Sequence, residues 1–457
     1  MAYVSHLQHI VGPLGDDPLT PDELSILLAL PRAAQKTPHA LFVRLPKGAT
    51  AGDGHYDVSF AQAAAIVGRL ASALKTRTDI QLGPGITVCL MIDPYVHGFF
   101  HQLAFWALGC TVQYVTGVFG EEMVDGQLKQ AGCKLTVYLG KTKERVEARR
   151  DKHGIEMFEL EESEYAGALV RQELAGLGPA PEWPTPKRPS PAVVIQSSST
   201  TAMPKVLGFD LHFYALSIPH NSRRHLDSRP PSEFGSTKRP DTHPVLIASD
   251  PFWQPFHEHL LVHLVTATPF ALTFPLRSLS VDDFAGWLKE LDSMYSITLV
   301  GCGIQDQLSE LMSEKRIVAH NLFGNSELSK LMTADRAPYN HLRPIPDFPP
   351  PLAVPALAWS VQSGIAKTNP NREVTLWYIV SRYPPLAHVM LRGRVPLKLE
   401  PFPGPGPYKG QPAMNLGDVF YEIITKEGEE KDVAYAHAAR LDDYLRLNND
   451  MDIVEDD

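Results

Sequence analysis

The chain has 457 residues, an apolar fraction of 44% and a formal net charge of −10 at pH 7. This length predicts more than one structural lobe around a sizeable core. The negative charge argues against a general nucleic-acid binder, because the phosphate backbone favours a basic surface. The sequence shows no signal-peptide pattern and no run of about 18 apolar residues, so we expect no membrane helix.

The four cysteines show no CxxC spacing. We interpret them as small buried side chains in a reducing compartment, and we therefore expect a cytoplasmic protein.

The first third of the chain alternates between two apolar patterns. Helical spacing predicts helices at 58–75, which Ser59 can cap, at 97–108 and at 121–131. Short apolar runs predict buried strands at 86–92, 111–116 and 135–139. This alternation favours βαβ units and a parallel sheet.

The rest of the chain is less regular. Residues 141–190 are charged and then proline-rich, which predicts a surface excursion or a linker. Strands are predicted at 192–195, 245–248 and 297–300, with a helix at 281–294. A strand pair is predicted at 374–380 and 386–392, a further alternation at 418–425 and 432–436, and a solvated acidic tail at 450–457.

A hydroxyl-rich loop follows the apolar run at 192–195. Its sequence is S-S-S-T-T-A-M-P-K over 197–205. Backbone N–H groups and hydroxyls in such a loop can hold a polyphosphate, with Lys205 as a mobile counter-charge. It is not a Walker loop, because the GxxxxGK[ST] pattern is missing and Pro204 prevents a smooth entry into a helix.

Further along, two polar segments follow in order. The first reads N-L-F-G-N-S-E over 321–327, and the second is Leu416-Gly417-Asp418, with Arg440 placed 22 residues after Asp418 (440 − 418). Taken alone, these are ordinary turns, helix caps or surface ion pairs.

Two segments lie where a substrate could bind. Pro255-Phe256-His257-Glu258 follows Trp253, and Gly301-Cys302-Gly303 follows the strand at 297–300. The glycines permit close approach of a ligand to the backbone. The alternatives are a core or surface histidine without a binding role and a plain strand-to-helix turn. The spacing of His257, His259 and His263 is poor for zinc, so we predict no zinc centre.

In this order the segments resemble those of the adenylate-forming enzymes, the superfamily of acyl-CoA synthetases, firefly-type luciferases and peptide-synthetase adenylation domains. The family patterns are roughly S-G-[TS]-T-G-x-P-K, N-x-Y-G-x-T-E, T-G-D and G-R-x-D-D. This chain carries Ser199 and Ala202 for two of the glycines, Phe323 for the tyrosine and Ser326 for the threonine. It is most similar to the adenylation domain of fungal synthetase-like carboxylic acid reductases.

The resemblance implies an α/β fold, the large N-terminal lobe of these enzymes. That lobe has two βαβ-type sheets with flanking helices and a smaller β-rich subdomain. We expect residues 1–440 to form the adenylation core. Residues 441–457 would be the hinge, at Asp442, and the acidic tail, without the small C-terminal lobe of the family.

The resemblance also implies a site for ATP and Mg²⁺. Phe323 would stack on the adenine, Asn321 would lie near its amino edge, and Asp418 would bind the ribose hydroxyls. Glu327 would bind Mg²⁺, which prefers oxygen ligands. The remaining implied nucleotide contacts are Ser197, Ser198, Ser199, Thr200, Thr201, Lys205, Gly324, Ser326 and Arg440, and the implied catalytic set is Lys205, Thr200, Glu327 and His257.

The substrate implied by the resemblance is a small carboxylic acid. The residues that would line its pocket are Trp253, His257, Glu258, Gly301, Cys302, Gly303 and Gly324. The aromatic residues hint at an aryl or apolar acyl group. Glu258 falls near the aspartate that holds the substrate ammonium in amino-acid-activating domains, so an amine-bearing acid stays open.

The predicted function is therefore ATP-dependent activation of a carboxylic acid to acyl-AMP with release of pyrophosphate, as the core of a longer enzyme. Carrier and reductase domains would follow, with phosphopantetheine on the carrier as acyl acceptor. One alternative is a stand-alone acyl- or aryl-CoA ligase core with CoA as acceptor. The other is a non-catalytic nucleotide- or acyl-binding relative. A core without the small lobe would adenylate slowly.

Overall fold

The structure is a computed structural model. It describes residues 2–12, 18–48, 50–77, 80–92, 95–115, 120–161, 166–174, 176, 183–184, 186, 191–197, 205–218, 244–247, 249–272, 297–300, 304–314, 319–346, 348–356, 372–392, 395–427 and 430–441. These residues belong to two compact units. The larger unit is Leu14–Tyr295, and the smaller unit combines Met1–Pro13 with Ser296–Asp457.

The described helices occur in both units. They are α1 (Ala2–Val11), α2 (Pro21–Leu27), α3 (Ala29–Lys36), α4 (Phe60–Arg77), α5 (Gly98–Leu108), α6 (Glu121–Ala131), α7 (Lys143–His153), α8 (Ala166–Leu174), α9 (211–218), α10 (Gln254–Thr266), α11 (Asp306–Glu314) and α12 (Pro384–Arg392). In the part of the chain that the structure describes, no helix is both long and apolar enough to cross a membrane.

The strands of the larger unit form two sheets. They are β1 (Leu41–Pro46), β2 (His55–Ser59), β3 (Thr87–Met91), β4 (Thr111–Tyr114), β5 (Leu135–Leu139), β6 (Glu156–Leu160), β7 (Ala192–Gln196), β8 (Val206–Asp210), β9 (Val245–Ile247) and β10 (Phe270–Leu272). One sheet has the order β6-β5-β3-β4-β7-β8, parallel except for the antiparallel pair β7–β8. The other has the order β2-β1-β10-β9.

The helix and strand boundaries in the first third confirm the predicted alternation. Helix α4 begins with a reciprocal cap, in which Gln62 N donates to Ser59 Oγ (3.3 Å) and Ser59 N donates to Gln62 Oε1 (2.9 Å). Helices α5 and α6 end at Gly109 and Gly132, whose φ angles are 92° and 64°. Glycine adopts this left-handed conformation without a Cβ clash, which explains both helix ends.

The predicted linker at 141–190 is wrong for its first part, which forms α7, β6 and α8. Strand β6 pairs in parallel with β5 and buries Phe158 and Leu160. Helix α7 is charged, but it buries Val146 and Arg149 three residues apart on one face. The Arg149 guanidinium lies 2.7 Å from the Asp125 carboxylate of α6, so this buried positive charge has a partner of opposite sign.

An aromatic cluster forms part of the core of the larger unit. The Phe42 ring centroid lies 5.1 Å from that of Phe60, 6.2 Å from that of Phe99 and 5.1 Å from that of Phe270. The edge-to-face arrangement of Phe42 with Phe99 and Phe270 is favourable for aromatic rings. Because Phe42 lies on β1 and Phe270 on β10, the cluster stabilises the pairing of these two strands.

The cysteines that the structure describes are free thiols, as expected. Cys89, Cys110 and Cys133 are all buried. Cys302 lies outside the described residues, as do the predicted helix at 281–294 and the tail at 450–457.

The smaller unit carries the remaining strands in two sheets. They are β11 (Ile297–Val300), β12 (Ala319–Asn325), β13 (Ser329–Ala334), β14 (Arg343–Pro344), β15 (Leu352–Pro355), β16 (Arg372–Ile379), β17 (Glu400–Pro401), β18 (Pro412–Glu427) and β19 (Glu430–Arg440). The sheet β11-β12-β13-β14 and the sheet β15-β16-β18-β17, in which β19 pairs with β18, are joined by a bridge between Leu342 and Tyr435. Helix α1 packs against α12.

The strand predicted at 386–392 is wrong, because these residues belong to helix α12. Pro384 and Pro385 occupy its first positions, where a missing N–H costs nothing. Leu386 and Val389, three residues apart, are both buried. The short apolar run matches both the two-residue period of a strand and the 3.6-residue period of a helix, and only its packing favours the helix.

Candidate functional site

The hydroxyl-rich loop joins two adjacent strands. Ser197 N donates to Lys205 O (2.9 Å), and Lys205 N donates to Ser197 Oγ (3.1 Å), which closes the base of the β7–β8 hairpin. The chain therefore leaves β7 at its carboxyl end and returns as the antiparallel β8. The carboxyl ends of the strands in open α/β sheets are where ligands commonly bind. The hairpin also agrees with the expectation that Pro204 prevents entry into a helix.

The tip of that hairpin lies outside the described residues. It contains Ser198, Ser199, Thr200 and Thr201. Their contacts with nucleotide stay a prediction.

A buried glutamine network supports the end of β7, and the sequence analysis missed it. Gln127 Nε2 donates to Gln196 Oε1 (2.8 Å), and Gln113 Nε2 donates to the Gln127 carbonyl (3.1 Å). All three residues are buried. Since Gln196 is the last residue of β7, the network holds the strand end from which the loop departs. Glutamines on a helix and two strands give no local motif, so only the fold reveals their contact.

His257 lies in the first turns of α10 and is fully buried. Its Nε2 lies 2.7 Å from the Pro251 carbonyl, which can only accept, so Nε2 carries the proton. Nδ1 has no hydrogen-bond partner among the described residues. Burial lowers the pKa of His257 to about 4, against the opposing effect of the hydrogen bond to Pro251. The imidazole is therefore neutral near pH 7, with the Tyr114 ring 5.5 Å away.

The other predicted acid-pocket residues are partly described. Trp253 is half-buried immediately before α10, and Glu258 is buried within it. The segment with Gly301, Cys302 and Gly303 lies outside the described residues, so the predicted pocket lining stays a prediction.

The N-L-F-G-N-S-E segment forms the end of β12 and the turn into β13. Asn321 is buried, and its Nδ2 donates to the Tyr339 carbonyl (2.8 Å). The amide predicted to lie near the adenine is thus engaged with the protein's own backbone. A Cβ on Gly324 would collide with the backbone of Ser329, so only glycine fits there.

The turn itself contains Ser326, which is predicted to contact the nucleotide, and Glu327, which is predicted to bind Mg²⁺. Ser326 and Glu327 are half-buried. The turn is fixed by Asn325 Oδ1, which accepts from Leu328 N (2.8 Å). Both candidate side chains therefore sit on a well-defined hairpin turn.

Asp418 and Arg440 are direct partners across the β18–β19 pair. A bulge follows, because Val419 pairs with Ala439 and Phe420 pairs with His437, which leaves Ala438 unpaired. Directly opposed residues share one face of a sheet.

On that face, His437 Nε2 lies 3.2 Å from Asp418 Oδ1, and Arg440 Nε lies 3.8 Å from the same oxygen. Phe323 of β12 meets this cluster. Its ring centroid is 5.2 Å from that of Phe420 and 6.4 Å from that of His437. The structure thus brings together the predicted adenine, ribose and arginine residues, and it adds His437 to them.

The described residues contain no group of three or more His, Cys, Asp or Glu side chains that could hold a metal ion by themselves. Mg²⁺ in nucleotide sites needs only one or two protein carboxylates, since phosphate oxygens and water complete its coordination. Glu327 on its turn fits this requirement.

The family profile described as AMP-binding enzyme matches residues 30–207, which include β7 and the hairpin base. No curated protein sequence matches the chain.

Solved structures of similar fold cover most of the chain. O-succinylbenzoate coenzyme A synthetase from Bacillus subtilis, in complex with AMP, is 15% identical, with 90% of this chain and 98% of that chain covered and a TM-score of 0.59. The same synthetase in complex with ATP and magnesium ion is 14% identical, with 91% and 80% covered and a TM-score of 0.59. A fatty acyl CoA synthetase from Mycobacterium tuberculosis is 13% identical, with 92% and 80% covered and a TM-score of 0.60.

These likenesses confirm the predicted α/β fold of the large lobe of adenylate-forming enzymes. Residues 30–207 match the model of the AMP-binding enzyme family.

Proposed function

We propose that the chain activates a small carboxylic acid with Mg-ATP, giving acyl-AMP and pyrophosphate. The observation that carries the proposal is the β7–β8 hairpin. The segment that matches the family includes β7 and the loop residues up to Lys205, and the loop follows the carboxyl end of β7, which pairs in parallel with β4. The synthetases of similar fold, which were solved with AMP and with ATP and magnesium, support the same nucleotide.

The residues of the smaller unit fit an adenosine. Phe323 offers a half-buried ring, and Asp418 offers a carboxylate whose second oxygen, Oδ2, has no hydrogen-bond partner among the described residues. A carboxylate oxygen can accept from a ribose hydroxyl, and an aromatic face can stack on a base. We therefore assign adenine stacking to Phe323 and ribose binding to Asp418, with Arg440 as a nearby cation.

Charge neutralisation is the main demand of a phosphoryl substitution. We assign it to the Lys205 ammonium, to the hydroxyls of the loop, including Thr200, and to Mg²⁺, which Glu327 would hold. Bound Mg²⁺ supplies positive charge to the phosphate oxygens. The acid would bind near His257, whose neutral ring offers the bare Nδ1 as a hydrogen-bond acceptor.

The acyl acceptor and the cellular context belong to the same proposal. We favour a carrier domain with phosphopantetheine, followed by a reductase, over CoA. The buried free thiols Cys89, Cys110 and Cys133 fit a reducing compartment such as the cytoplasm.

The test is Mg-ATP-dependent pyrophosphate release across a panel of aryl, fatty and amino acids, with hydroxylamine to trap the acyl-AMP. We expect release with one class of acid, and loss of release in Glu327→Gln and Lys205→Ala. Matched controls are Glu310→Gln on α11 and Lys36→Ala on α3, which remove an exposed charge of the same sign and should retain release.

Three results would redirect the proposal. Thioester formation on adding CoA would favour the stand-alone ligase over the carrier-bearing enzyme. ATP binding without release would favour a non-catalytic relative. Absence of ATP binding would refute the nucleotide site.

A further inference from the structure

The bulge at Ala438 changes which side chains of β19 face Asp418. In a regular strand, residues an odd number apart point to opposite faces, so His437 and Arg440 would be separated. Ala438 is the unpaired extra residue, and it shifts the alternation by one position. His437 and Arg440 therefore both lie on the face of Asp418 and Phe420.

The two oxygens of Asp418 are used differently. Oδ1 accepts from His437 Nε2 at 3.2 Å and faces Arg440 Nε at 3.8 Å. Oδ2 has no hydrogen-bond partner within the described part of the chain. A carboxylate held through one oxygen cannot rotate freely, so the direction of the other is set before a ligand arrives.

His437 also contacts the aromatic residue of the site. Its ring lies 36° from the plane of Phe323 and packs edge-on against Phe420, with centroids 5.7 Å apart. The imidazole thus connects the predicted adenine platform to the predicted ribose carboxylate. Arg440 does not have this role, because its side chain is 60% exposed and lies beyond hydrogen-bond distance.

We propose that His437 is a positioning residue, which holds the Asp418 carboxylate so that its second oxygen accepts from a ribose hydroxyl. This inference rests on the proposed function. It adds that discrimination between ribose and deoxyribose depends on a side chain that would make no contact with the sugar. The His437–Asp418 pair is partly exposed, so we expect it to contribute little to folding stability.

The experiment measures the dissociation constants of ATP, 2′-deoxy-ATP and 3′-deoxy-ATP with Mg²⁺ for the wild type, His437→Phe and His437→Gln. Phenylalanine keeps a ring beside Phe323 but removes the donor, whereas glutamine keeps a donor of similar reach. We expect His437→Phe to weaken ATP binding about tenfold, and to leave unchanged the binding of the deoxynucleotide that lacks the contacted hydroxyl. His437→Gln should restore most of the preference for ATP.

A double variant gives an independent check. If His437 acts through Asp418, adding His437→Phe to Asp418→Ala should cause no further loss of ATP affinity, because interacting residues are not additive. Thermal unfolding of each variant separates a folding defect from a binding defect.

Each remaining outcome has a distinct meaning. A wild type that prefers ATP, with His437→Phe showing the same preference, would overturn the positioning role and leave the proposed function intact. Equal losses for all three nucleotides would show a merely structural residue and would also overturn it. A wild type that binds none of them would refute the proposed function, and the inference with it.

Discussion

The buried His257 ring makes the stability of the larger unit sensitive to mild acid. Its pKa is about 4 in the folded chain, against 6.5 for an unperturbed histidine. As the pH falls, the unfolded chain therefore takes up this proton first. Above about pH 6.5 the histidine is neutral in both states and does not lower the free energy of unfolding. As the pH falls from about 6.5 towards about 4, the free energy of unfolding decreases.

The size of the effect follows from the two pKa values. At about pH 5 the unfolded histidine is almost fully protonated and the folded one almost fully neutral, which lowers the free energy of unfolding by about 2 kcal/mol. At about pH 7.5 the same difference is close to zero. A side chain that does not titrate would not lower the free energy of unfolding on acidification from this position.

The perturbation is His257→Gln, whose amide can still donate towards the Pro251 carbonyl. We expect the stability of this variant, relative to the wild type, to rise by about 2 kcal/mol between about pH 7.5 and about pH 5. The measurement is urea unfolding followed by circular dichroism at both pH values.

The control variant for acidification is Phe256→Leu, a neighbouring buried position that does not titrate. Its change in unfolding free energy should be the same at both pH values. If His257→Gln behaved in the same way, the buried neutral imidazole would be refuted, and with it the assignment of a bare Nδ1 to the acid site.

Three other substitutions test the architecture around the site by urea unfolding. Gly109→Ala should destabilise the larger unit by about 1–3 kcal/mol, because the new Cβ would be strained at a φ of 92° and would lie 2.8 Å from Pro186. Gln127→Leu should cost about 1–3 kcal/mol, since it leaves the buried Gln196 Oε1 without its donor. Ser59→Ala should cost about 1 kcal/mol through loss of the α4 cap.

Matched variants make these three results specific. Gly132→Ala also has a positive φ, but its Cβ would meet nothing within 4 Å, so it should cost less than Gly109→Ala. Ser59→Thr retains a capping hydroxyl and should be nearly neutral. A loss below about 0.5 kcal/mol for Gln127→Leu would contradict the glutamine network.

Local signals in the sequence determined the α/β architecture of the first third. Ser59 was predicted to cap the first of these helices, and the predicted ends at 108 and 131 each precede a glycine, Gly109 and Gly132. The structure has those ends at the same residues. Such signals act over a few residues, which is why they can be recognised without the fold.

Patterns that depend on distant partners were misread. The charged sequence of helix α7 predicted a surface excursion or a linker, because the burial of Val146 and Arg149 requires a surface from other parts of the chain. The run at 386–392 fits a strand as well as a helix, and its packing within the smaller unit decided for the helix.

At the candidate site, the sequence by itself determined the order of the loop at 197–205, the turn at 321–327 and the pair Asp418 and Arg440. Only the tertiary structure decided that His257 is buried and neutral, and that His437 holds Asp418. Burial depends on everything packed around a side chain, and the face that His437 presents depends on one unpaired residue, Ala438, in the register of two strands. Register is a property of the pairing between strands, so neither strand's own sequence specifies it.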